Sequence, residues 1–130
     1  METICKRLHR GDDLLLSIRR LAEEENIRAG VVLSAVGCLS RLRVRDASGI
    51  AIRAVREDVE ILSLMGTVSA ERTHLHICCS REDLSCLGGH LVEGSIVNTT
   101  CELVIGVPEG WRFGREQDGN TGYDEILFLR

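Results

Sequence analysis

An α+β domain built on an antiparallel sheet is the fold class this sequence predicts, and three observations predict it. A single segment near the N-terminus carries apolar residues at helical spacing. Almost everything after it reads as strands, either alternating or continuously apolar. Short turn-forming clusters such as Gly11-Asp12-Asp13, Asp46-Ala47-Ser48-Gly49 and Asp118-Gly119-Asn120-Thr121-Gly122 separate these runs, in the manner of hairpins rather than of long crossovers. The 130 residues fit one domain, residues 1–130, long enough to bury a substantial core without disulfide staples.

Thr3 to Leu8 is a short opening strand, and Gly11-Asp12-Asp13 supplies a turn and a helix cap. Leu14, Leu15, Ile18, Leu21 and Ala22 then recur at amphipathic helical spacing, with Asp12 and Asp13 suited to the positive end of the helix dipole and Glu23-Glu24-Glu25-Asn26 at the solvated end. Ala29 to Leu39 is nearly all apolar and predicts a buried strand, in which Gly37 marks a bulge or a close backbone approach. Arg41-Leu42-Arg43-Val44-Arg45 continues in strict alternation, placing three guanidinium groups on one side. Ile50 to Val55 returns as a hairpin partner. Val59 to Val68 is a long strand with Glu60 set among apolar residues, and Ile96 to Val107 is another that contains Glu102. Trp111 to Arg115 reads as short and irregular, and Tyr123 to Leu129 closes the chain as a strand.

Twenty acidic against sixteen basic side chains give a net charge of −4, the wrong sign for a protein held to DNA mainly by phosphate neutralisation. A DNA role therefore demands a local basic patch, and the row Arg41, Arg43, Arg45 is the best one available; an exposed strand face answered by acidic residues is its ordinary explanation. Met1 to Arg7 lacks the apolar core of a secretory signal, and no run reaches the roughly 18 apolar residues of a membrane span, so a soluble, cytoplasmic protein is expected. The six cysteines are too few for a disulfide scaffold and read as core residues or soft ligands; Cys5, Cys38 and Cys101 lie in apolar stretches. Neither a Gly-x-Ser-x-Gly elbow nor a phosphate-binding or dinucleotide-binding glycine motif is present.

The chemistry concentrates between Thr73 and His90, which holds three of the four histidines and three of the six cysteines. On a strand from Thr73 to Ser80, alternation puts His74, His76 and Cys78 on one face and Leu75, Ile77 and Cys79 on the other. Imidazoles two residues apart stand about 6.6 Å apart at the backbone, close enough for both to reach one ion. His90 is the candidate third ligand, brought back beside the strand by a Gly88-Gly89 loop. Three neutral imidazoles favour zinc over harder ions and leave a fourth position for water or substrate. Cys78 and Cys86 lie near enough in sequence to add a thiolate, with burial as core residues the alternative. Glu60 and Glu102 are the candidate catalytic carboxylates, as bases or as acceptors that orient a histidine; pairing with an arginine such as Arg7 or Arg115 is the structural alternative.

Taken in order, several blocks resemble the PPC (plants and prokaryotes conserved) domain, which also occurs alone in bacteria and archaea. They are Arg7-Leu8 with Gly11-Asp12-Asp13-Leu14, then Ser34-Ala35-Val36-Gly37, then Glu60-Ile61-Leu62-Ser63-Leu64-Met65-Gly66-Thr67. His74-Leu75-His76-Ile77, Gly88-Gly89-His90-Leu91, Glu102-Leu103-Val104 and Thr121-Gly122 complete the set. The resemblance implies a sheet of about seven strands flanked by helix, assembly as a homotrimer, and a metal held by His74, His76 and His90. Plant relatives carry an AT-hook before the domain; no such basic run exists here, and Pro108 is the only proline. The expected function is a homotrimeric, DNA-associated regulatory or binding module with a three-histidine zinc site. The alternatives are a zinc-dependent enzyme acting on a small-molecule ligand through a metal-bound water, and a structural assembly module without metal.

Overall fold

The computed structural model describes residues 1–130. Its elements run β1 (Glu2–His9), α1 (Leu14–Glu24), β2 (Gly30–Arg45), β3 (Ile52–Val55), β4 (Val59–Val68), β5 (Thr73–Ser80), β6 (Cys86–Leu91), β7 (Ile96–Val107), β8 (Arg112–Gln117) and β9 (Asp124–Leu129). β1 to β7 form a seven-stranded antiparallel sheet in the order β1-β7-β2-β4-β5-β6, with β3 also on β2. The α+β expectation holds.

Asp13 caps α1 by accepting from the Leu16 amide at 3.0 Å, and its other oxygen accepts from the Gly94 amide at 2.7 Å. Asp12 serves the turn instead, accepting from the His9 amide at 2.8 Å. The helix buries Leu14, Leu15, Ile18, Leu21 and Ala22 in the same cluster as the inward residues of the sheet, among them Leu39, Leu42, Val59, Leu75, Leu91, Val97, Leu103 and Ile105. Each fully buried side chain of this size contributes about 1.5–3 kcal/mol relative to exposure. The helix ends where Asn26 adopts a left-handed φ of 49°. No helix is long and apolar enough to cross a membrane.

β2 organises the sheet. Residues 30–39 pair with β4 on one edge, and residues 31–41 with β7 on the other. Beyond Leu39 the β4 edge passes to β3, which pairs with Leu42 to Arg45, and beyond Arg41 the β7 edge passes to β6 through Val44↔Leu91 and Arg45↔His90. Register shifts at Val32/Ser34, Gly37/Cys38 and Leu39/Arg41 bend the strand enough to make this change of partner. The result is a closed circuit, β2-β4-β5-β6 and back to β2. Gly37 is the tightest point of the bend, because a Cβ there would lie 2.1 Å from the Thr100 carbonyl oxygen.

Three expectations need correction. Gly88-Gly89-His90 is the middle of strand β6, not a loop: neither glycine has a positive φ, and each is required by proximity. A Cβ on Gly88 would meet the Ile77 carbonyl oxygen at 2.0 Å, and one on Gly89 the Arg45 carbonyl oxygen at 2.6 Å. Residues 112–117 are a regular strand, β8, that pairs with β9 as a separate two-stranded sheet. Cross-strand pairing decides that conformation: Phe113 meets Phe128 edge to face at 5.1 Å, and the Phe113 amide donates to the Arg28 carbonyl at 2.8 Å. Finally, Cys5 is exposed and Cys38 half-buried, so of the cysteines read as core only Cys79 and Cys101 lie fully inside.

Gly37→Ala is expected to destabilise the fold by about 1–3 kcal/mol, because the clash is with backbone and no side chain can move aside. Urea unfolding reads this as a lower midpoint at unchanged slope.

Candidate metal centre

Cross-strand pairing assembles the histidines. β5 buries Leu75, Ile77 and Cys79 and turns His74, His76 and Cys78 to the other face, as alternation requires. His76 pairs directly with His90 across the β5–β6 ladder, so both project on that same face. Ring centroids are 5.0 Å apart for His74 and His76, 5.2 Å for His74 and His90, and 5.6 Å for His76 and His90. One nitrogen from each ring lies within 4.8 Å of the others. His74 and His90 are half-buried and His76 is exposed. The Nδ1 atom of His90 is buried without a hydrogen-bond partner.

The electrostatics hold the buried rings neutral. Burial, aided by the charges of Arg45 and Arg72 and by the other two histidines, pushes His90 down to about 4. His74 is also lowered, by burial first, then by Arg72 and His76; Glu125 opposes the shift and Arg45 adds to it. Neutral imidazole is the form that offers a lone pair to a metal. The thiols go the other way. Burial and the neighbouring Cys86 raise Cys78, and burial pushes Cys79 up to about 12; the convergent group consists of the three imidazoles alone. Cys78 is half-buried and Cys86 exposed, so neither is core.

The glutamates lie elsewhere. Glu60 faces Ser80 and Cys38 across its two ladders, and Ser80 is about 13 Å along β5 from His76. Glu102 sits on β7 opposite Arg7 and Val36, three strand spacings or about 14 Å from β5. Both are exposed, so the structure does not bring either to the histidines as a base or as an orienting acceptor. Arg7 is the cross-strand neighbour of Glu102, whereas Arg115 reaches Asp124 at 3.9 Å. The row Arg41, Arg43, Arg45 is not an open basic stripe either. All three are half-buried, Arg43 donates to the Glu93 carbonyl at 3.0 Å, and the Nε atoms of Arg41 and Arg45 are enclosed.

Residues missed from the sequence are Arg45 as a neighbour of the histidines, together with Arg72 and Glu125. Only the β2–β6 pairing places Arg45 opposite His90, and Glu125 arrives on β9 from a separate sheet. Alternation from His74 back to Arg72 was the single available sequence signal.

Fold and site together define a small α+β domain with three converging imidazoles on an open sheet face. The model of the Plants and Prokaryotes Conserved (PCC) domain matches residues 1–108, and the chain belongs to that family. The structure resembles that of a protein from Salmonella cholerae-suis, with 30% identity, a TM-score of 0.95, and coverage of 98% of this chain and 93% of that one. It also resembles a protein from Bacteroides thetaiotaomicron named as a candidate DNA-binding protein, with 25% identity, a TM-score of 0.86, and coverage of 98% and 93%. A metal-containing protein from Archaeoglobus fulgidus is similar as well, at 28% identity and a TM-score of 0.79 over 100% and 94% of the two chains. The bifunctional protein GlmU of a Synechococcus strain is 38% identical over 120 residues, 92% of this chain. The chain spans about a fifth of the length of the curated relatives it matches, 19% in this case.

The depressed His90 predicts an acid-sensitive fold. The unfolded chain takes up this proton near pH 6.5 and the folded one only near 4, so stability is flat in this respect above 6.5 and falls between 6.5 and 4. Urea midpoints of the metal-stripped protein measured across that window are expected to fall more steeply for the wild type than for His90→Asn. Equal slopes would count against the assignment.

Proposed function

We propose that this chain is a homotrimeric, DNA-associated regulatory or binding module that holds a zinc-type ion through His74, His76 and His90. The observation that carries the metal is the convergence of three imidazoles, one nitrogen of each within 4.8 Å of the others. The buried Nδ1 of His90 has no hydrogen-bond partner, which is costly, and an ion bound there would supply one. The nitrogens need to close from within 4.8 Å to about 3.4 Å for a tetrahedral ion with bonds of about 2.0–2.1 Å, a shift within reach of side-chain rotation. Three neutral nitrogen donors favour zinc over magnesium or calcium. Zinc held this way keeps one position for a further ligand. The metal-containing relative from Archaeoglobus supports the reading.

Leu33, Val36, Leu62 and Met65, on β2 and β4, are 51–68% exposed, and an apolar sheet surface of this kind supports self-association. The DNA association is supported by the Bacteroides relative. Net charge and the enclosed arginines of β2 limit it to a weak, local contact.

Native mass spectrometry tests metal and assembly together. The wild type is expected at the mass of three chains with one ion per chain, and His76→Ala is expected to lose the ion, with affinity down by more than about 100-fold. A trimer without metal would leave only the assembly role; a monomer at all practical concentrations would remove the trimer. For DNA, titration with duplex at low and moderate salt is expected to give binding that weakens as salt rises. No binding at low salt removes that part of the proposal.

A further inference from the structure

We propose that the histidine cluster forms part of a receptor for a small oxyanion, a carboxylate or a phosphate, whose charge is met by Arg45 and Arg72. This rests on the metal reading above and deepens it by naming the class of ligand.

Arg45 lies directly across from His90, and His90 directly across from His76, so a guanidinium and two imidazoles form one row over β2, β6 and β5. Arg72 enters β5 two residues before His74, and its charge reaches both His74 and His90. The Nε atom of Arg45 and an Nη atom of Arg72 are buried without hydrogen-bond partners. The four ion pairs of the chain are Arg53 with Asp46, Arg81 with Glu57, Arg112 with Glu71 and Arg115 with Asp124, so neither arginine of the row has a carboxylate. Glu125 brings acidic charge to His74 and accepts from the Thr121 hydroxyl at 3.3 Å. Neither guanidinium is paired with a carboxylate, and a divalent ion would add further positive charge once loaded. In a chain of net charge −4 this is a local concentration of uncompensated positive charge.

Enclosed guanidinium donors need an acceptor, and a planar fork of N–H groups matches carboxylate or phosphate oxygens two at a time. The small number of donors and their half-burial fit a compact anion. A duplex needs several exposed cations along its backbone, which this row does not offer.

The test is calorimetric titration of metal-loaded protein, freed of unbound metal, with inorganic phosphate and separately with succinate at low salt. Wild type, Arg45→Gln and Arg72→Gln are compared, with metal content measured on each sample. Saturable binding of one anion is expected, weakened about tenfold or more in each variant while the metal is retained. The preferred anion distinguishes a phosphate ligand from a carboxylate. If Arg45→Gln fails to fold, Arg45→Lys, which keeps the charge and loses the fork, is expected to weaken binding in the same direction, and Arg72→Gln decides independently. Wild type that holds metal but binds neither anion, or binds with one affinity across all variants, overturns this inference alone. Wild type without metal overturns the metal reading, and Arg45-dependent anion binding in that sample still supports the receptor.

Discussion

Two ladder pairs, Val44↔Leu91 and Arg45↔His90, are the constraint on which the rest of the molecule depends. They tie the far end of β2 to β6 and so close the circuit β2-β4-β5-β6 around the core. Without them β6 would pair with β5 alone, and Arg45 would not stand beside His90. The pairs are possible only because β2 bends, and it bends where side chains are missing or displaced: at Gly37 against Thr100, and at the register shifts on either side of it. Gly88 and Gly89 complete the closure by letting the backbones of β5 and β2 approach β6. The apolar face inside the circuit, with Leu39, Leu42, Leu75 and Leu91 fully buried, supplies the free energy that keeps the bend in place.

The same closure sets the chemistry. Half-burial removes water from His74 and His90, and the guanidinium groups beside them add positive charge, so both rings prefer to be neutral. Desolvation has the opposite effect on the neighbouring thiols of Cys78 and Cys79, because it disfavours whichever form carries charge. One environment thus favours the neutral form of both groups, and geometry separates them as candidate ligands, because only the three imidazoles bring their ligand atoms together.

Local pattern was a good guide wherever burial has a period. The spans Val59–Val68, Thr73–Ser80 and Ile96–Val107 coincide with β4, β5 and β7, and the helix with its Asp13 cap follows the spacing of Leu14, Ile18 and Leu21. The orientation of His74 and His76 away from Leu75 and Ile77 follows from alternation alone. Pattern failed where a residue answers to a distant segment. Gly88-Gly89 reads as a turn, yet it is strand because other backbones pass close by. Residues 112–117 lack a clean alternation and become a strand only by pairing with β9.

By itself the sequence determined the class of fold, the order and extent of most elements, the face on which His74 and His76 project, and the family blocks that mark the chain. Tertiary structure alone decided that His90 stands opposite His76, that Arg45 stands opposite His90, and that Glu60 and Glu102 stand apart from them. The physical reason is that side-chain direction along a strand is a property of the local backbone, with a period of two. Which strands become neighbours is set by the burial of a shared core and by where the long strand is free to bend.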